Sequence, residues 1–136
     1  MKNLVFLLLL FSIGNCKSQI ESEIISIKYE AITRGSYIRI NATSNLFTYK
    51  DVETEKQIQP TKNNWKSIIS LFEEINLSEM HRFSAPSEES AVDAALQATL
   101  SISTNNKYYQ SQTFDHGNPP EELKGIIDKL FALVSE

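Results

Sequence analysis

A chain of 136 residues with a formal net charge of −4 and a single cysteine is bounded before any motif is sought. It is long enough for one domain with its own core, and one cysteine leaves no internal disulfide to form. Mild acidity with singly scattered basic residues excludes a nucleic-acid surface, which needs a clustered basic patch.

Residues 1–19 set the address. Lys2 precedes an apolar run over residues 4–11, and Ser12, Ile13, Gly14, Asn15 and Cys16 follow, the pattern of a secretory signal. The run is too short for a membrane-spanning helix, which needs roughly 20 apolar residues. Ser12-Ile13-Gly14 offers an ordinary peptidase site before Asn15. Ile13-Gly14-Asn15-Cys16 offers a second, and it resembles the relaxed lipobox of Bacteroidetes-type bacterial lipoproteins, departing at Asn15, where Gly or Ala is usual. The resemblance covers the leader alone. It implies cleavage before Cys16, lipidation of Cys16 as the mature N-terminus, and a membrane as partner. Each buried acyl methylene adds about 0.8 kcal/mol, so several chains would hold the protein permanently. Lys17 stands where the inner-membrane retention signal of enteric bacteria has Asp, which implies the outer membrane. The expected division is a signal peptide over residues 1–15, a lipidated N-terminus and short tether over 16–23, and a single α+β domain over 24–136.

Beyond the tether, Ile25, Ile27, Tyr29 and Ala31 alternate with Ser26, Lys28 and Glu30, the period of a half-buried strand. A two-residue turn at Arg34 and Gly35 pairs Ala31 with Ile38 and Tyr29 with Ile40, which gathers the apolar sets on one face. Leu46, Phe47, Thr48 and Tyr49 predict a third strand, and residues 51–60, charged and non-periodic, predict a loop. Trp65, Ile68, Ile69, Phe72 and Ile75 mark an amphipathic helix, with Thr61 or Asn63 as its cap and Trp65 as a core anchor. From about Asp93, Val92, Ala94, Leu96, Ala98, Leu100 and Ile102 hold every even position, so a strand is expected despite good helix formers. Asn105-Asn106 predicts a tight turn and residues 107–113 the return strand, with one of Tyr108 and Tyr109 exposed. A last helix is expected from Asn118 as cap, Pro119 at its first position and Glu121 closing a capping box. Its stripe is Leu123, Ile126, Ile127, Leu130, Phe131 and Val134. The fold class implied is α+β: a two-layer sandwich with an antiparallel sheet of about five strands, ordered βββ-α-ββ-α, and two helices on one face.

No Gly-rich phosphate loop, C-x-x-C, H-E-x-x-H or G-x-S-x-G occurs, and nothing calls for a cofactor. One constellation follows from strand register. A continuous hairpin through Asn105-Asn106 sets Ala95 opposite His116 and Asp93 opposite Asn118. Glu88, Glu89, Asp93, Asp115 and His116 would then gather at one end of the sheet. Such a group could ligate a divalent cation or serve as acid and base, with Ser87 as a nearby nucleophile. Equally, Asp93 and Asp115 could satisfy loop amides, with His116 a structural hydrogen-bond partner. His81 suits a surface or capping position. The two function classes left are a non-enzymatic envelope module that binds a protein partner or small ligand, and a small hydrolase or metal-dependent enzyme at Asp93, Asp115 and His116.

Overall fold

The computed structural model describes residues 24–88 and 95–135; Cys16, Glu89 and Asp93 lie outside the described residues. Strands β1 (Ile24–Thr33) and β2 (Ser36–Thr43) form the expected hairpin. Tyr29 lies opposite Ile40 and Ala31 opposite Ile38, and Gly35 at φ +79° supplies a turn geometry that L side chains rarely adopt. The alternation is broken at one end. The β1–β5 register shifts between Ile24 and Ser26, so Ile24 is buried and Ile25, expected in the core, is exposed.

Residues 51–60, expected as a loop, contain a strand. Asp51 closes a tight turn by accepting the amides of Glu53 and Thr54 at 2.9 and 2.6 Å. It thereby joins β3 (Phe47–Asp51) to β4 (Glu55–Ile58), paired antiparallel. β4 is a sheet edge, and only Ile58 of its side chains is half-buried. It therefore carries charge where an apolar period would have announced it, as edge strands do to avoid pairing with other chains.

Helix α1 (Lys62–Ile69) starts at Thr61, whose Oγ1 accepts the Asn64 amide at 3.1 Å. It passes into 3₁₀ turns at Ser70–Phe72 and Leu77–Arg82. The chain then forms β5 (Gln97–Thr104), β6 (Tyr108–Gln110) and β7 (Phe114–Asp115) and ends in α2 (Glu121–Ser135). The sheet is seven-stranded and antiparallel, ordered β4-β3-β2-β1-β5-β6, with β7 also on β5. The α+β class holds; the count of about five strands and the βββ-α-ββ-α order do not, because β4 is mostly charged and exposed and β7 is only two residues long, so neither shows a period.

One face of the sheet, led by Ile27, Tyr29, Ile40, Phe47, Leu100 and Phe114, shares a single core with Ile68, Phe72, Met80 and the buried stripe of α2. Burying each of the larger apolar side chains contributes roughly 1.5–3 kcal/mol. Trp65, half-buried, packs on Phe47 with ring centroids 6.4 Å apart. The opposite face is not simply open. Lys28, Glu30 and Arg39 form ion pairs across it, but Ser101 is buried under the Tyr108 hydroxyl, 2.8 Å away, and Asp115 is covered as described below. Among the described residues no helix is long and apolar enough to cross a membrane.

Candidate functional site

A displaced register builds the end of the sheet where the sequence places its candidate residues. β5 pairs Ser101 with Gln110, the expected offset, but pairs Ala98 with Phe114 and Gln97 with Asp115. One extra residue therefore sits on the returning strand between Gln110 and Phe114, a bulge. Ser111 makes it. Its backbone N–H donates to the Leu100 carbonyl at 2.9 Å, and its buried Oγ accepts the Leu100 amide at 3.0 Å, standing in for a missing ladder carbonyl. The unbroken register that sets Ala95 opposite His116 is thus corrected by one residue, and a one-residue slip exchanges the two faces. Phe114 turns into the core in consequence.

Asp115 is 2% exposed and its Oδ2 accepts the Ser87 hydroxyl. The Ser87 Oγ in turn accepts the Asn118 side-chain amide at 2.7 Å. The Asn118 backbone N–H closes on the Asp115 carbonyl at 2.9 Å, with Gly117 at φ +86° allowing the tight reversal. Ser87, Asp115 and Asn118 thus latch the segment before the undescribed residues 89–94 onto the β7 turn. Asn118 is committed to this latch and does not cap the helix as expected. Instead α2 begins at Glu121 after buried Pro119 and Pro120, and the first helical turn closes from Leu123 to the Pro120 carbonyl at 3.0 Å.

His116 goes the other way. Its backbone N–H reaches the Leu96 carbonyl at 2.9 Å, and its ring meets the core, with Nδ1 2.6 Å from the Tyr29 hydroxyl. Tyr29 is fully buried, and burial raises its phenol well above the ordinary value; burial also lowers His116 below 6.5. Both groups are therefore neutral near pH 7. The buried phenol has a proton to place and Nδ1 is the acceptor within reach, which assigns the ring proton to Nε2. Beside the ring lies a cleft of about 320 Å³ between the β7 turn and α2, lined by His116, Pro119, Ile127, Asp128 and Phe131 over Tyr29.

Of the expected constellation, Asp115 and His116 are neighbours in the chain but bond on opposite sides of the sheet. Glu88 and His81 are exposed. Ser87 bonds to Asp115 and Asn118, with no imidazole in either role. No group of three His, Cys, Asp or Glu side chains among the described residues could hold a metal ion. The sequence places Tyr29 and Phe131 in the core but not at this site, and does not single out Ser111. Tyr29 did leave a signal: a phenol amid isoleucines and alanine on a buried strand face needs a partner for its hydroxyl. Comparison with protein families, with curated proteins and with solved structures finds no match to this chain.

Proposed function

We propose that the protein is a lipoprotein of the bacterial cell envelope, anchored through acyl chains on Cys16 at the outer membrane, as Lys17 in place of a retention-signal Asp supports, and that its single domain is a non-enzymatic binding module for an envelope partner or small ligand. The leader Ile13-Gly14-Asn15-Cys16 supports the anchor. The observation that carries the non-enzymatic reading is the divergence of Asp115 and His116, which are bonded to Ser87 and Tyr29 respectively. A hydrolase needs nucleophile and base within hydrogen-bond reach of each other, and here Ser87 and His116 serve different networks. The rival reading, a small hydrolase or metal-dependent enzyme at Asp93, Asp115 and His116, has no converging pair among the described members to support it.

Two measurements test the proposal. Intact-mass analysis of protein made in a lipidating bacterium is expected to give a chain starting at acylated Cys16. A soluble species starting at Asn15 with a free thiol refutes the anchor. Pull-down of the lipidated protein from its native envelope is expected to recover a specific partner or ligand, and an empty pull-down combined with hydrolytic turnover lost on Ser87→Ala returns the enzyme.

A further inference from the structure

We propose that the cleft between the β7 turn and α2 binds a small organic ammonium of about the size of choline, held by the faces of His116 and Phe131 and by the carboxylate of Asp128. This rests on the reading of the domain as a binding module and names the ligand class for it.

The geometry comes first. His116 and Phe131, both half-buried, have ring centroids 5.8 Å apart and planes inclined by 50°. Tyr29 closes the floor behind them, 5.2 Å from Phe131 at 79° and 6.0 Å from His116 at 55°. Rings inclined at such angles are not stacked on one another, and all three border the same cleft. An aromatic lining of this kind can offer a negative π face to a cation, the interaction that holds alkylated ammonium groups. Pro119 and Ile127 add apolar wall for the alkyl substituents.

Charge selects among apolar ligands. Asp128 stands exposed at the rim and forms no ion pair with any described residue, so its charge is available to a cation and repels an anion. The ionisable groups lining the cleft are Tyr29 from β1, His116 from the turn and Asp128 from α2. Burial keeps the imidazole neutral near pH 7, so the ring offers its π face without repelling the guest. Size sets the remaining limit. A volume of about 320 Å³ lies at the lower end of ligand sites, roughly 300–1,000 Å³, which is ample for a trimethylammonium head, while the Asp128 carboxylate at the rim disfavours a phosphate.

The test uses the isotope-labelled full chain in a maltoside detergent, titrated with choline while the two imidazoles are followed by NMR. Choline is expected to shift His116 saturably and leave His81 unmoved. The neutral isostere with a tert-butyl group in place of trimethylammonium is expected to bind at least about tenfold more weakly. Asp128→Asn, an exposed change that leaves the core intact, is expected to weaken choline about tenfold and the isostere little. Equal binding of choline and isostere overturns the assignment, and so does an unmoved His116 at choline far above millimolar. Failure here with a partner still recovered from the envelope overturns the cleft alone and leaves the binding module standing.

Discussion

Tyr29 is the one polar-tipped side chain among the buried residues of β1, and its hydroxyl ends on His116 Nδ1. Tyr29→Phe keeps the ring and its contacts with Phe114 and Phe131 while removing the donor. The expected loss is about 1 kcal/mol of unfolding free energy, the net worth of a hydrogen bond whose acceptor is partly reachable by water. Urea denaturation measures it; no loss would show that the pair contributes nothing. His116 also ties stability to pH. Its folded-state affinity for a proton is lowered by burial, so below about pH 6.5 the unfolded chain binds more protons than the folded one. This contribution is fully present above that pH and is lost as pH falls through the folded-state value. In His116→Gln the loss of stability between about pH 6.5 and 5 is expected to be shallower than in the parent. Identical slopes in matched denaturant titrations would remove His116 from the account.

At the scale of elements, the bulge at Ser111 determines which side chains face the cleft. Ser111→Ala leaves the buried Leu100 amide without its side-chain acceptor, an expected cost of about 1–3 kcal/mol. Gln112→Ala, one residue on and exposed, is expected within about 0.5 kcal/mol of the parent. Equal effects in thermal denaturation would mean the hydroxyl does not hold the bulge. The same bulge explains how far the sequence could be read. The β1–β2 register was legible because two apolar alternations met at a Gly-bearing turn, and the α2 stripe because six positions kept the helical period. Nothing in Gln110, Ser111, Gln112 and Thr113 distinguishes a bulge from a strand, since a serine oxygen replacing a carbonyl has no period. Asp115 and His116 were therefore brought to the correct end of the sheet and assigned to a common cluster they do not form. β4 was missed for a related reason: one inward side chain in four residues carries too little pattern to read.

For the whole molecule, the proposed anchor and the sheet together say which end of the domain lies nearer the tether. Ile24 follows Cys16 by eight residues, which span at most about 28 Å. The Ile24 end of β1 pairs with Thr104 and, at Ser26, with Thr43, so the turns after β2 and β5 lie at the tethered end. β1 then runs on to Ile32, opposite Gln97, which itself pairs with Asp115. Eight residues of strand at roughly 3.3 Å each put the β7 turn about 26 Å from the tethered end. With Cys16 acylated, the His116 cleft would lie at the end of the sheet farther from the tether. Acylation of Cys16 would also leave an introduced cysteine as the sole free thiol, so single fluorophores can be placed on Asn106→Cys in the turn after β5 and on Arg34→Cys at the opposite end. In vesicles carrying a headgroup quencher, the Asn106 label is expected to be quenched more than the Arg34 label, since contact quenching fades within a few ångströms of the bilayer surface and the Asn106 turn lies at the tethered end. Strong quenching at Arg34 with little at Asn106 would invert the molecule and bring the cleft against the membrane.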